Sequence, residues 1–216
     1  MTTVLSDNPG SKEQNTDFTI RRGFTNPVFD SQRIFRTVMD AMARPGILHE
    51  IDNERLAPPT PLSATLAGIV MTLCDYDTPL WLDTTLSKSS DVISYLKFHT
   101  GAPIVDLPKD AAFAVVSSPQ TMIPPGNFNA GTPEYPDRST TLIIGTESLS
   151  NRTGVYLTGP GIKQQQSFGV RSLPEYFWPE MIANHALFPL GIDVVFAGEQ
   201  QIAALPRSTD IRQRED

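Results

Sequence analysis

Three loop motifs carry side chains that could contact a ligand. In the first, Arg207 stands beside the hydroxyl groups of Ser208 and Thr209, a composition that suits the oxygens of phosphate or phosphonate. In the second, the N–H groups of a Gly159-Pro160-Gly161 turn could hold an anion, although a plain tight turn is the simpler interpretation. The third motif, at residues 131–139, combines a constrained backbone with several candidate contact residues, namely Gly131, Thr132, Glu134, Asp137 and Arg138.

A further candidate, Arg44, lies on a predicted helix. Arg36, Asp40 and Arg44 follow one another at i, i+4 and i+8, so the carboxylate can pair with either guanidinium on the helix surface. Such exposed pairs are common and weak, and a solvated ridge of ion pairs explains the spacing. The alternative is that one of the arginines stays unpaired and meets an anion or a partner.

The helix itself is predicted between Pro27 and Gly46 and is about four turns long. We expect Asp30 to accept hydrogen bonds from N–H groups of the first turn, and Pro45-Gly46 to end the helix. Apolar residues recur at spacings of three and four, which predicts one buried face formed by Ile34, Phe35, Val38, Met39 and Met42.

The familiar signatures of catalysis and nucleotide binding are missing. There is no Gly-x-Gly-x-x-Gly, no Walker phosphate loop and no His-Glu-x-x-His. The three histidines, His49, His99 and His185, are scattered, so no metal site is predicted. With Cys74 as the single cysteine, the chain cannot form an intrachain disulfide, its own iron–sulfur cluster or a cysteine-based zinc site. The sequence therefore offers no complete catalytic set.

Composition limits the class of protein. The 216 residues are 39% apolar, enough for one sizeable core, and we expect a mobile tail at 1–22, a single domain at 23–212 and a charged tail at 213–216. A net charge of −7 argues against binding to nucleic acid or anionic membranes. No long apolar run and no secretory signal are present, so the chain is expected in the cytoplasm.

The order of the predicted elements favours an α/β fold. Strands and helices alternate and several strands are uniformly apolar, which is typical of a layered mixed sheet covered by helices. Strands are predicted at residues 47–51, 80–82, 111–116, 140–144, 155–158, 192–197 and 202–205. Further helices are predicted from Thr60-Pro61, from Ser89 or Ser90, and over residues 174–185, the last capped by Ser172 and kinked at Pro179.

Several motifs, taken in order, resemble one protein family. They are Gly-Phe-Thr-Asn-Pro-Val-Phe-Asp-Ser-Gln-Arg-Ile-Phe-Arg, Ala-Met-Ala-Arg-Pro-Gly, Gly-Thr-Pro-Glu-Tyr-Pro-Asp-Arg-Ser, Leu-Thr-Gly-Pro-Gly-Ile, Phe-Pro-Leu-Gly-Ile-Asp and Leu-Pro-Arg-Ser-Thr. This series closely resembles the PhnH family, subunits of the bacterial carbon–phosphorus lyase system for phosphonate use. The resemblance covers residues 23–212 and leaves out the N-terminal tail.

The resemblance implies a homodimer whose fold is related to the large domain of pyridoxal-phosphate-dependent transferases, without that cofactor. It also implies that the chain acts with other core subunits on ATP and an alkylphosphonate. In that reaction adenine is displaced from the ribose and ribose 1-methylphosphonate 5-triphosphate is formed. On this hypothesis Arg207 and the 131–138 loop line a groove for a ligand or a partner.

Two alternatives stay open. A stand-alone pyridoxal-phosphate transferase would need a lysine for the Schiff base. None of the five lysines, Lys12, Lys88, Lys97, Lys109 and Lys163, sits in an obvious pocket of the predicted fold. The other alternative is a purely structural adaptor whose loops dock partners and bind no small molecule.

Overall fold

A computed structural model describes residues 21–53 and 55–214. The predicted N-terminal tail lies outside the described residues apart from Arg21 and Arg22, as do Lys12 and the last two residues of the predicted C-terminal tail. The α-helices are α1 (Pro27–Ala43), α2 (Ala64–Leu73), α3 (Thr84–Ser87), α4 (Ser90–Thr100) and α5 (Phe177–Ala186). The strands are β1 (His49–Glu50), β2 (Leu80–Leu82), β3 (Ile104–Val105), β4 (Phe113–Val116), β5 (Thr141–Gly145), β6 (Leu149–Thr158), β7 (Gln166–Val170), β8 (Asp193–Ala197), β9 (Gln201–Leu205) and β10 (Asp210–Arg212).

Seven strands form a mixed sheet in the order β1-β9-β8-β5-β4-β2-β3. The strands from β8 to β3 are parallel, whereas β9 runs antiparallel to β8 and β1 antiparallel to β9. The parallel strands β4, β5 and β8 are apolar along nearly their whole length because both faces of the sheet are covered. The prediction of an α/β fold with a mixed sheet flanked by helices is therefore confirmed.

A second, antiparallel sheet of three strands, in the order β10-β6-β7, lies beside the first. The strand predicted at 155–158 is part of β6, which belongs to this sheet and not to the main one. Strands β7 and β10 were not predicted, because their polar and glycine-containing sequences lack a continuous apolar run. The small sheet provides one of the layers that cover the main sheet.

The core lies on both faces of the main sheet. On one face, α1, α2 and α4 pack against inward residues of the strands, including Val115, Ile143 and Val195. On the other face, α5 and the small sheet pack against the alternate residues, including Leu142, Ile144 and Phe196. The main sheet is therefore the middle layer between α1, α2 and α4 on one face and α5 with the small sheet on the other.

Helix α1 begins at Pro27, within the predicted range, but its N-cap and part of its buried face differ from the prediction. Asn26, not Asp30, is the N-cap, and Asp30 accepts a hydrogen bond from the Asn26 N–H at 2.8 Å from within the first turn. The helix ends at Ala43 with Arg44 as its C-cap, directly before Pro45-Gly46, as predicted. The buried residues are Asp30, Ile34, Val38 and Ala41. Phe35 and Met39, which were predicted in the core, are 47% and 51% exposed, so that prediction was wrong.

Two other helix starts also differ from the prediction. Helix α2 begins at Ala64, and its N-cap Ser63 lies three residues after the predicted cap Thr60. Helix α5 begins at Phe177, so Pro179 falls in its first turn, where a missing N–H removes no intrahelical hydrogen bond and no kink results. Ser172 lies outside this helix and has a φ of +63°.

Within residues 21–53 and 55–214, no helix is long and apolar enough to cross a membrane.

Candidate functional site

Arg207 is the centre of a hydrogen-bonded network at the amino ends of β5 and β8. Its Nε lies 3.1 Å from Asp193 Oδ1, its Nη2 lies 2.5 Å from Asp193 Oδ2, and its backbone N–H donates to the same carboxylate at 2.8 Å. The guanidinium also donates to Pro136 O at 2.7 Å and to the Ser139 hydroxyl. The carbonyl of Arg207 faces His185 Nδ1 at 2.9 Å. Arg207 thus ties the 131–139 loop to β8 and α5.

The 131–139 loop is folded onto itself by its own backbone. Gly131 has a φ of +81°, and a Cβ there would lie 2.9 Å from Pro136 O, so only glycine fits. Arg138 stacks on the ring of Tyr135 at 4.1 Å and is exposed. The remaining candidates in this loop, Thr132, Glu134 and Asp137, are also exposed. The loop therefore presents polar groups to solvent around the buried Arg207 network.

The Gly159-Pro160-Gly161 turn packs closely against two other segments. A Cβ on Gly159 would lie 3.1 Å from Ser208 O, and one on Gly161 would collide with Ala43 O. Both glycines have positive φ, +124° and +79°. Close backbone contacts therefore explain why both positions are glycine. The turn packs between the end of α1 and the segment after β9.

Arg44 lies beside this turn. It pairs with Asp40 at 3.1 Å, with both side chains more than half exposed, as the ion-pair interpretation predicted. Together with Gly161 and Lys163, it lines a groove of about 450 Å³. The structure therefore brings the predicted candidates together at one edge of the molecule, the amino ends of the parallel strands. Whether they bind a ligand or a partner remains a prediction.

A different cavity lies at the opposite edge, where β4, β5 and β8 end. It has a volume of about 540 Å³ and is lined by residues that directly follow each strand: Ser117 and Ser118, Thr146 and Glu147, Gly198 and Glu199. The rest of the lining consists of Ser63, Pro119, Gln120, Gly145, Arg171, Ser172 and Ala197. A Cβ on Gly145 would lie 2.7 Å from Ser117 O, so glycine allows β4 and β5 to end side by side. We call this cavity the carboxyl-edge crevice, and sequence reasoning missed it.

Ser117 is fixed in the crevice by a buried carboxylate. Asp83, at the end of β2, is fully buried and accepts hydrogen bonds from both the N–H and the hydroxyl of Ser117 at 2.7 Å. Its other oxygen caps α3 through the Leu86 N–H at 2.8 Å. Because the Ser117 hydroxyl already donates to Asp83, it can offer a ligand only its acceptor lone pairs.

An acidic cavity of about 730 Å³ adjoins the crevice and shares Glu147, Gly198 and Glu199 with it. Its other charged residues are Glu50, Asp52 and Arg55. Among the described residues, no three His, Cys, Asp or Glu side chains come together to hold a metal ion. The four described lysines are exposed, and none lines the crevice. The crevice thus combines hydroxyl groups, one guanidinium and two carboxylates, and Arg171 Nε lies 3.7 Å from Glu147 Oε2.

Comparison with known proteins gives the family. A family model for the bacterial phosphonate metabolism protein PhnH matches residues 22–212. The chain belongs to the PhnH family. It is 40% identical over 188 residues to the alpha-D-ribose 1-methylphosphonate 5-triphosphate synthase subunit PhnH of Rhizobium meliloti (strain 1021), covering 87% of this chain and 93% of that relative. It is also 31% identical over 81 residues to the provisionally named C-P lyase subunit protein HtxG of Stutzerimonas stutzeri, covering 38% of this chain and 42% of HtxG.

This member of the PhnH family also has an apolar surface that no part of the described chain covers. Val28, Phe35 and Met39 lie within about 40° of one another around α1, roughly 120° from its buried face. They are between 47% and 72% exposed. A helix that is apolar on two faces is typical of one that packs against a further protein surface. We call these three residues the α1 stripe.

Proposed function

We propose that this chain is a subunit of the bacterial carbon–phosphorus lyase core complex and that it serves in the use of phosphonates as a phosphorus source. The observation that carries the proposal is the 40% identity to a ribose 1-methylphosphonate 5-triphosphate synthase subunit, along 93% of that relative. The reaction that we assign to the complex is the ATP-dependent formation of ribose 1-methylphosphonate 5-triphosphate with release of adenine. The chain would support this reaction in the cytoplasm, where ATP is available.

We propose that the chain forms a homodimer and that the dimer binds other core subunits through the α1 stripe. The stripe supports the second contact because exposed aromatic and methionine side chains are enriched at protein interfaces. Arg36 lies beside it, three residues before Met39, although the whole chain carries a net charge of −7. We therefore expect the facing surface of the partner subunit to be apolar with acidic residues at its rim.

Co-purification tests the contact. The chain is coexpressed with the other core subunits, and the mass of the particle is measured by size-exclusion chromatography with light scattering. We expect Phe35→Glu to remove the chain from the larger particle, because burying an unpaired carboxylate in an apolar interface is costly. Phe98→Glu on α4 is the matched control, since Phe98 is 66% exposed and lies away from the stripe.

The same measurement separates the two partners. Loss of the large particle with an intact dimer supports the assignment of the α1 stripe to another core subunit. Conversion of the dimer to a monomer would instead assign the stripe to a second copy of this chain. If Phe35→Glu and Phe98→Glu assemble equally well, the stripe is not an interface.

Growth tests the pathway. A bacterial strain that lacks its own PhnH-family gene is supplied with this chain, and methylphosphonate is the sole phosphorus source. Growth is expected with the parent chain, whereas absence of growth despite soluble expression would contradict the proposal. A purely structural adaptor predicts growth without any heat of binding when the complex is titrated with ATP and methylphosphonate. A pyridoxal-phosphate enzyme predicts a visible absorption band that borohydride removes.

A further inference from the structure

We propose that the outer edge of β7 is a docking site for an extended acidic segment of another protein, which pairs with β7 as a fourth strand of the small sheet. Strand β7 is at one end of that sheet and, among the described strands, pairs only with β6. No further backbone hydrogen bond reaches residues 166–170 from elsewhere in the described part of the chain. The outer edge of β7 is therefore open to a further strand.

The other strand edges are protected in ways that β7 is not. Strands β1 and β3, at the two ends of the main sheet, are only two residues long. Strand β10, at the opposite end of the small sheet, carries Asp210 and Arg212 within its three residues. Short length and charge are common devices that prevent a strand edge from pairing with another chain. Strand β7 has five residues and neither a charge nor a proline among them.

The backbone of β7 directs Ser167 towards the open edge. A Cβ on Gly154 would collide with Phe168 O, so the carbonyl of Phe168 faces β6. Because hydrogen-bonding directions alternate along an antiparallel strand, the N–H and the carbonyl of Ser167 face away from β6. The Gln166 carboxamide donates to Ser167 O at 2.9 Å, as expected of a carbonyl that has no strand partner. A docked strand would replace this side-chain contact with backbone hydrogen bonds.

Charge determines the kind of segment that fits. Residues 148–174 contain Arg152, Lys163 and Arg171 and not one carboxylate, although the whole chain has a net charge of −7. Among the described residues, Arg152 and Lys163 have no ion-pair partner. The contact of Arg171 with Glu147 is long, 3.7 Å, and both side chains are exposed. A segment that carries carboxylates complements this surface.

The groove beside Arg44 lies at the start of β7 and extends the same surface. Lys163 and Gln166, the first residue of β7, line it together with Arg44. Arg44 pairs with Asp40 through exposed side chains, so exchanging this partner for another carboxylate costs little. We therefore expect acidic side chains of the docked segment to lie in this groove. A second copy of this chain fits less well, because pairing β7 with itself would join two surfaces that both lack carboxylates.

Hydrogen exchange tests the strand pairing. That the partner is another core subunit rests on the proposed function, so exchange is measured on the chain alone and on the particle that it forms with the coexpressed core subunits. Peptides over residues 164–170 are followed by mass spectrometry. We expect their exchange to slow by about tenfold or more in the particle, because amides of a paired strand exchange only when the strand opens.

Ser167→Pro separates strand pairing from other contacts. Proline removes an N–H that faces away from β6, so the β6 hydrogen bonds stay in place and the Tm should be nearly unchanged. We expect the protection of residues 164–170 in the particle to be lost. Ser167→Ala is the matched control, since it keeps the N–H, and it should retain the protection.

Lys163→Glu tests the acidic character of the partner segment. Reversing this exposed charge should lower the fraction of the chain that co-elutes with the particle, and the loss should be largest at low salt. Lys97→Glu makes the same change on the exposed side of α4 and should leave this fraction unchanged. If Ser167→Pro lowers the Tm by more than about 4 °C, the comparison of these two lysine variants decides between the outcomes.

Three results overturn the docking site. They are equal exchange of residues 164–170 in the chain alone and in the particle, equal behaviour of the proline and alanine variants in a folded chain, and equal assembly of the two lysine variants. Protection that is already present in a dimer of the chain alone would assign the β7 edge to a second copy and also overturn it. A chain that enters the particle without protection of β7 refutes the docking site and leaves the proposed function standing, whereas a chain that enters no particle refutes both.

Discussion

Replacing Arg207 by alanine is expected to destabilise the protein strongly, because its guanidinium makes largely buried hydrogen bonds to Asp193 and to Pro136 O. The side chains of Arg207 and Asp193 are only 14% and 16% exposed, and the pair is joined through two guanidinium nitrogens. The substitution leaves the Asp193 carboxylate with the backbone N–H of residue 207 as its one remaining donor among the contacts described above. It also removes the donors to Pro136 O and Ser139.

The size of the effect follows from these contacts. Removing one partner of a buried ion pair costs about 3–5 kcal/mol, because the other charge stays buried without compensation. For a protein of this length, about 1 kcal/mol corresponds to roughly 2–4 °C in Tm. The expected decrease in Tm is therefore about 6–20 °C. The Tm of Arg207→Lys should lie between those of the parent and Arg207→Ala. An ammonium group keeps the charge but cannot reproduce the planar contacts to Asp193, Pro136 and Ser139.

Thermal unfolding followed by circular dichroism measures this decrease. Arg138→Ala is the control, because Arg138 belongs to the same loop, is exposed and contacts only the Tyr135 ring in the network described above. The double variant Arg207→Ala with Asp193→Ala should be less destabilised than the sum of the single variants, since the unpaired carboxylate is gone. A Tm for Arg207→Ala within about 2 °C of the parent would refute the structural role. Loss of ligand or partner binding at unchanged Tm would instead favour the sequence-based hypothesis for Arg207.

Three further predictions concern Asn184, Cys74 and His49. Asn184→Ala should destabilise the protein by about 2–4 kcal/mol, measured by urea unfolding, because the buried amide donates to Ile192 O at 2.9 Å and accepts from Ile192 N at 2.8 Å. Burial raises the pKa of Cys74 to about 12, so the thiol should not react with a disulfide reagent at pH 8 until the chain is unfolded. Burial, and then the charge of Arg44, lower the pKa of His49, so the unfolded state binds a proton more readily. Neutral His49 should therefore contribute to the free energy of unfolding above its ordinary pKa of about 6.5. This contribution should be lost as the pH falls from there through the lower pKa of the folded state. His49→Gln should reduce this pH dependence of stability.

The strands of the main sheet were the easiest part of the fold to predict. Residues 80–82 and the end of the 111–116 run form β2 and β4, because a strand covered on both faces needs apolar residues throughout. Helix α1 was harder. Its sequence is apolar on two faces, and periodicity alone does not tell which face meets the core of its own chain. Phe35 and Met39 were assigned to that core, although they are exposed on the second face.

The candidate site was predicted less well, for a physical reason. Glycine, proline and arginine in short motifs are visible in a sequence, whereas the convergence of Ser117, Thr146 and Gly198 depends on strand order. A local signal did exist. Polar or small residues follow β4, β5 and β8 directly, and the carboxyl ends of parallel strands meet at one edge of a sheet. What could not be predicted is that these three strands are neighbours, since residues far apart in the chain determine their order.

A loss of function therefore has a different interpretation at each edge of the sheet. At the amino edge, Arg207 and Gly131 belong to motifs on which the family resemblance rests, and both are fixed by internal contacts. A variant there can abolish growth on phosphonate by unfolding the chain, because a few kcal/mol is a large share of the stability of a domain. At the carboxyl edge, Arg171 and Glu199 are exposed, so their replacement should leave the Tm nearly unchanged. Only a loss of growth at unchanged Tm identifies residues that contact a ligand or a partner.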